Sequence, residues 1–513
     1  MTKKVFIIGF STSILRDVIL NLKDQGIGVV YWQGYRDYFR SIRQDRQSFP
    51  DTIFHYSTDA IRNIPPAEVD VSDFEPPSRN LIEQLYPYSW QALFLIERID
   101  YLGWPLARKR DLYYQYIQFW QGMLKKFQPD AILLSDVPHG GNDYVLYALA
   151  MILKIKIIIT EQIAVESRTL LINNYKTSSL ALRADYEQNQ DKKYTTEDLS
   201  PDIKEYYLKH LTPGNDATPV YYKRALQRKT PFRTPTLKVI IKHILHLSLF
   251  RVIFSYLRML FIKNEEQTLS NSLRGFEYTL IIRKWIRINK SCQKEHASRQ
   301  TAADLSKKFI YIPLNVQPER TTCPAAGIFD DQLLMIETIA HCLPKGWVVY
   351  VKENPNQLRP AHIFSHKYRY PGYYQQITKL KNVHLVPTDT STYDLINNSQ
   401  TVATATGTAG WEALLRGKPV LIFGSVWYMY CDGVLRISDV NSCKQALGKI
   451  INGYKPDKQQ VLNYLVALDR NSSHARHFRT LHYKESDYDK NDYISHKDNV
   501  KCLSKAIYQA INE

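Results

Sequence analysis

The densest run of residues able to do chemistry is Thr404-Ala405-Thr406-Gly407-Thr408-Ala409-Gly410-Trp411-Glu412. Small and hydroxylated side chains end an apolar strand and open a helix. Free backbone N–H groups at such a start, together with the helix dipole, attract an anion. Gly407 and Gly410 allow close backbone approach, and Thr406 and Thr408 add hydroxyl donors. Glu412, one turn into the helix, is placed to accept from ribose hydroxyls. The loop is not a Walker A motif, because the Gly-Lys-Ser/Thr ending is missing. A purely structural strand-to-helix turn would use the same glycines and threonines, so this run alone leaves both readings open.

Two further polar clusters follow apolar runs. Pro313-Leu314-Asn315-Val316-Gln317-Pro318-Glu319-Arg320 offers Gln317 and an Arg320 able to pair with a phosphate or a sugar carboxylate. Val351-Lys352-Glu353-Asn354-Pro355 offers Lys352 and Asn354. Each could be a helix-capping loop. Three at successive strand ends of one domain are harder to dismiss as capping alone. In the first half, Ser135-Asp136-Val137-Pro138-His139-Gly140-Gly141-Asn142-Asp143 places Asp136 and His139 after a strand, and Thr160-Glu161-Gln162 places Glu161 after the next, with Glu166 and Arg168 close behind. Asp136, His139 and Glu161 are the candidate catalytic groups, although an Asp at a strand end can equally be a helix cap. No His-x-x-x-His spacing accompanies them, so no metal is expected.

These residues need strands that end at a common edge. Apolar runs predict strands over 4–10, 28–32, 52–56, 131–134 and 154–160, with helices over 14–24, 113–127 and 144–153. The last third predicts strands over 309–314, 347–353, 383–387, 401–406 and 420–424, with helices over 330–342, 393–398 and 411–416. Strands alternating with helices give an α/β class built of parallel β-α-β units, whose ligands bind at the carboxyl ends of the strands. Residues 185–218 look like polar surface. The expected division is 1–215, a basic helical insert or linker over 216–300, 301–485, and a helix within 486–513 crossing back to the first domain.

Composition narrows the class. A chain of 513 residues exceeds one ordinary domain, and 44% hydrophobic with 23% charged residues excludes a mainly disordered one. Net charge is +17, and residues 221–300 alone hold 17 Lys+Arg against 4 Glu. No nucleic-acid motif accompanies that segment, so an anionic membrane surface and an acidic polymer both rank as partners ahead of nucleic acid. Within it, Lys238, Lys242 and His246 form one helical stripe, and Arg251, Ser255 and Arg258 another. Two interfacial helices or two packed helices both fit. The 6 cysteines lack a Cys-x-x-Cys pair and suit a reducing cytoplasm. The apolar run at 5–10 is too short for a signal peptide, and no run of eighteen uncharged apolar residues exists.

The blocks 311–322, 327–357 and 402–427 together resemble the capsule polysaccharide biosynthesis family, which includes the bacterial β-Kdo transferases. The resemblance implies a GT-B-like fold, two Rossmann-like domains facing across a cleft. It implies a CMP-activated 3-deoxy-ulosonic acid as donor, held by the second domain, and a polysaccharide or lipid-linked glycan as acceptor. Where related transferases carry a His-Pro pair, this chain has Asn354-Pro355; Asn donates a hydrogen bond but carries no imidazolium charge. On this resemblance Asp136 is the first choice to act at the anomeric carbon, as nucleophile or as base. Arg320, Lys352, Thr406 and Thr408 would stabilise the departing CMP, with no cofactor or metal required. A cytoplasmic enzyme, peripheral on the inner membrane, is the expected setting. A CMP-releasing polyol-phosphate transferase and a non-catalytic glycan-assembly factor remain alternatives.

Overall fold

Short runs of Val, Ile and Leu, buried on both faces, form the centres of two parallel sheets in the computed structural model, as expected for strands covered by helices on each side. The structure describes residues 2–100, 103–165, 168–211, 275–358, 367–476 and 494–513. The two basic stripes expected within 237–262, and Glu166 and Ser167, lie outside these residues.

The first sheet contains β1 (Lys4–Ile8), β2 (Gly28–Gly34), β3 (Ile53–Tyr56), β4 (Ala131–Leu134), β5 (Lys156–Gln162) and β6 (Arg168–Ile172). Its helices are α1 (Ser13–Asp24), α2 (Arg36–Gln44), α3 (Ser57–Ile61), α4 (Arg79–Glu97), α5 (Leu106–Phe127), α6 (Gly141–Leu153), α7 (Leu180–Gln188) and α8 (Pro201–Leu211). After α9 (Gly275–Ser298), the second sheet contains β7 (Phe309–Pro313), β8 (Val348–Lys352), β9 (Val383–Val386), β10 (Thr401–Thr404), β11 (Val420–Ile422) and β12 (Val434–Arg436). Its helices are α10 (Gln332–Cys342), α11 (Tyr373–Lys379), α12 (Thr392–Asn398), α13 (Thr408–Leu415) and α14 (Val440–Ile451). The chain ends with α15 (Lys458–Asn471), β13 (Ser473–His474) and α16 (His496–Asn512).

The first sheet runs β13-β6-β5-β4-β1-β2-β3, with β5 through β3 parallel and β6 and β13 antiparallel. The second runs β12-β11-β10-β7-β8-β9, all parallel. In each, the strand order reverses direction beside the first strand: between β1 and β4, and between β7 and β10. Open α/β sheets bind ligands in the crevice at such a point. The loops 135–140 and 314–323, with the turn into α13, sit there.

Several elements differ from the sequence expectations. Residues 185–218 were expected as polar surface, but α7 and α8 bury Tyr186, Ile203, Tyr206 and Tyr207. Tyrosine hides its ring while its hydroxyl finds a polar partner, as Tyr186 Oη does on Gln460 Oε1 at 3.3 Å, so a polar composition masks a core contribution. Helix α4 was missed because Pro87 lies inside it and breaks the periodic pattern. Helix α9, expected within the insert, packs on α11 and bonds to the second unit through Cys292 and Glu295.

The return to the first sheet also begins earlier than residue 485. Helix α15 packs on α7, and β13 pairs with β6. Arg168, only 2% exposed, fixes this crossing with ion pairs to Asp202 at 2.7 Å and Asp469 at 2.9 Å. Helix α16 then lies on α1, burying Leu503, Ile507 and Ile511. An aromatic cluster of Trp411, Trp427, Tyr464 and Tyr186, with ring centroids 4.7 to 6.4 Å apart, further joins the units.

Candidate active site between the two sheets

Strands β4 and β5 end in Asp136 and Glu161, and the loop after β7 carries Arg320 toward them. Arg320 Nε lies 3.1 Å from Asp136 Oδ2, and its Nη1 lies 3.1 Å from Glu161 Oε1. Its Nη2 donates to Gln162 O at 3.1 Å. One guanidinium thus bridges two carboxylates across the gap between the sheets, a use of the planar fork that a lysine could not reproduce. Burial drives the Glu161 carboxyl above its ordinary pKa; Arg320 pulls it down and Asp136 pushes it up, and the net direction is upward. Burial opposes the Arg320 charge, but the two carboxylates outweigh it and raise its pKa. The arrangement supplies two carboxylates on one cation, of which Glu161 is the one that burial disposes to hold a proton.

The third candidate, His139, has an exposed ring, with Nδ1 2.8 Å from Val137 O. It stands at the rim of the cleft. Asp143 caps α6, accepting from the Gly140 and Tyr144 N–H groups. Burial raises its pKa, so it is part of the framework.

On the second sheet, the turn into α13 is held by hydroxyls. Gly407 N donates to Thr404 Oγ1 at 3.0 Å, and Thr404 Oγ1 in turn donates to Asn315 Oδ1 at 3.2 Å. Helix α13 opens at Gly407 with no side-chain cap, and Thr408 is exposed at its first position. That is where an incoming anion would meet N–H groups and one hydroxyl. Glu412 lies further along α13, partly exposed and close enough to Tyr428 to raise the pKa of that phenol, though burial is the larger cause.

Five expected donor-binding residues make other contacts here. Gln317 is 3% exposed; its Nε2 donates to Asp330 O, and its Oε1 accepts from Gln332 and Arg369, so its amide is committed to the loop framework. Lys352 is turned aside: its Nζ donates to Thr390 O and, at 2.9 Å, to Thr392 Oγ1. Burial lowers its pKa to about 8. Thr406 Oγ1 donates to Thr321 O at 2.5 Å, which ties the α13 turn to the Arg320 loop. Gly410 is required by packing, because a Cβ there would sit 2.4 Å from Tyr428 Oη. Asn354 Oδ1 accepts from Asn356 N at 3.0 Å, closing a turn of its own.

Sequence reasoning missed the groups that hold these loops. Glu353 and Arg369, 0% and 1% exposed, pair at 2.6 Å, and Tyr374 Oη donates to Glu353 Oε2 at 2.8 Å. Gln357 bonds both backbone groups of Gln317, at 2.7 and 2.9 Å. Arg98, the C-cap of α4, donates to His139 O at 2.8 Å and Glu319 O at 2.7 Å, and so spans the cleft. Lys367 Nζ bonds Glu97 Oε1 at 2.9 Å and the Asp100 carbonyl. Adjacent Lys-Glu in 352–353 was the one available signal for the buried pair; Arg369 is too distant in sequence to read. Among the described residues, no group of three or more His, Cys, Asp or Glu side chains is placed to hold a metal. No helix among them is long and apolar enough to cross a membrane.

Two Rossmann-like units meeting at the carboxyl ends of their strands define a GT-B-like protein. Residues 264–445 match the family described as capsule polysaccharide biosynthesis protein, which bears out the resemblance read from 311–322, 327–357 and 402–427. FixF of Sinorhizobium fredii is 26% identical over 170 residues, 32% of this chain and 39% of that protein. The match therefore spans about two fifths of the curated relative.

Among solved structures, the β-Kdo 2,7 transferase of KpsC from Thermosulfurimonas dismutans shares 12% identity, covering 93% of this chain and 99% of that one, with a TM-score of 0.30. The β-Kdo 2,4 transferase of the same protein shares 12%, covering 67% and 80%, with a TM-score of 0.28. A UDP-GlcNAc 2-epimerase from Methanocaldococcus jannaschii shares 10%, covering 90% and 97%, with a TM-score of 0.24. At these scores the fold assignment rests on the two sheet orders themselves.

Proposed function

We propose that this protein is a glycosyltransferase that moves a Kdo-like or nonulosonic acid sugar from a CMP-activated donor to a capsular polysaccharide or its lipid-linked precursor. The observation that carries this reading is the meeting of Asp136 and Glu161 with Arg320, at the facing switch points of two sheets. The nucleotide would occupy the uncapped start of α13, with Thr408 and the first-turn N–H groups on its phosphate. The sugar would lie toward the carboxylates. As CMP departs, Arg320 can leave Asp136 for the developing phosphate charge, freeing Asp136 to act at the anomeric carbon or on the acceptor hydroxyl. Glu161, with its raised pKa, is suited to carry the proton.

The setting is proposed as the inner face of the cytoplasmic membrane, where the net +13 of residues 221–300 would meet anionic headgroups beside a lipid-linked acceptor. Incubation with CMP-Kdo and a capsular oligosaccharide tests the function: CMP release together with an acceptor one sugar heavier is expected. With a CDP-polyol as donor, CMP release and a product that retains one phosphate would instead identify a polyol-phosphate transferase. Binding of glycan without CMP release would identify a non-catalytic assembly factor, the reading that Asn354-Pro355 favours.

A further inference from the structure

Nearly every aromatic ring in the described structure is at least partly buried. Three are exposed: Tyr86 (61%), Trp90 (62%) and Tyr370 (43%). Two of them share one face of α4, four residues apart, so their rings lie one above the other on successive turns. The next residue in that register, Phe94, packs edge-on against Tyr368 of the second unit at 5.6 Å. Tyr370 follows two residues later. The row therefore runs along α4 into the seam between the units. It reaches that seam where Arg98 bonds both His139 O and Glu319 O, beside the Arg320 cluster.

We propose that Tyr86 and Trp90 form a stacking platform for the sugar chain of the acceptor, which feeds its growing end along α4 toward Asp136. This deepens the glycosyl-transfer reading and rests on it. Four residues of helix advance about 6 Å, about the span of one sugar ring, so each aromatic can meet a successive ring through its apolar face. Glu83, exposed and three residues before Tyr86, lies on the same face and suits hydroxyl groups. A membrane surface fits less well. Between Arg79 and Glu97 the helix carries one arginine and two glutamates, whereas a helix docked on anionic lipid needs a lysine- and arginine-rich face. Continuity with the cleft also separates this row from a generic protein contact.

The test uses the full chain and capsular oligosaccharides of two, four and eight residues, both neutral and Kdo-containing. Binding is read by tryptophan fluorescence and calorimetry. Affinity should rise with length, and Trp90→Ala and Tyr86→Ala should each weaken the octasaccharide about five- to tenfold. Trp90→Phe should recover most of the loss. CMP binding should be unchanged in all three variants. Equal octasaccharide affinity in wild type and Trp90→Ala overturns the platform, as does no octasaccharide binding by wild type. Loss of anionic-vesicle binding in Trp90→Ala, with glycan affinity intact, assigns the row to lipid and also overturns it. Glycan binding that needs Trp90 in a protein releasing no CMP from CMP-Kdo would leave the platform standing and remove the transfer reaction.

Discussion

Replacing Arg320 by methionine keeps much of the side chain's length and removes its charge. The change deletes two ion pairs of 3.1 Å and a hydrogen bond to Gln162 O, leaving Asp136 and Glu161 to face each other across a partly enclosed gap. At an effective dielectric near 20, one pair of unit charges about 4 Å apart is worth about 4 kcal/mol before desolvation. Arg320 recovers its own hydration when removed, and its side chain is 25% exposed, so the net loss is nearer 3 kcal/mol, the low end for breaking a buried pair. That loss falls on the two carboxylates the guanidinium bridges.

The sign follows from the direction already present. Glu161 is raised in the folded protein, and removing the cation raises it further. The acid limb of the pH–rate profile should therefore move to higher pH, and the denaturant midpoint should fall at neutral pH but less in acid, where Glu161 takes up its proton. Arg320→Lys, with one compact charge for two acceptors, should fall between. A profile unmoved in Arg320→Met, with full stability at pH 7, would refute the coupling of these three groups.

Asp136→Asn should abolish transfer while leaving CMP affinity within twofold, measured by calorimetry and product mass; near wild-type turnover would remove Asp136 from the chemistry. Thr408→Val should weaken CMP binding by about 0.5–1.5 kcal/mol, the net worth of one hydrogen bond. Asp330 is 5% exposed, its Oδ2 lacks a partner among the described residues, and burial pushes its carboxyl up to about 7. The folded state then binds the proton more tightly than the unfolded one. Stability should fall as pH rises from about 4 to 7, by as much as about 4 kcal/mol, and Asp330→Asn should flatten that slope in urea titrations. Gly410→Ala should cost about 1–3 kcal/mol by overpacking against Tyr428, read from the thermal midpoint with CMP absent.

The strands were legible because buried parallel strands are nearly continuous apolar runs: 131–134 and 348–351 can be read without help. The turn into α13 was legible as a loop, but not in its division of labour. Glycine spacing looks the same whether a glycine admits a phosphate or a tyrosine hydroxyl, and Gly410 does the latter. Lys352 shows the same limit, since a basic residue at a strand end carries no sign of which neighbour will take its ammonium. The Glu353–Arg369 pair, like Arg98 on His139 O and Glu319 O, depends on contacts that tertiary structure alone creates. Tyrosine-rich helices such as α8 were read as surface, because phenol groups count as polar in sequence and as core in structure.

Residues 315–323 connect the parts that function would have to coordinate. Their amino-terminal end is clamped within the second unit, by Gln332 on Asn315 and by Gln357 and Arg369 on Gln317. Their middle faces the first unit, through Arg320 on the carboxylates and Glu319 O on Arg98. Their far end receives Thr406 from the α13 turn. A ligand that reorients the α13 turn must therefore act on Thr321, the neighbour of Arg320, while the clamp at Gln317 keeps the rest of the loop from absorbing the shift. In the proposed reaction, nucleotide binding at the α13 turn and the release of Asp136 from its ion pair would be joined by this single peptide segment. Rigidity at one end of that segment is what makes movement at the other specific.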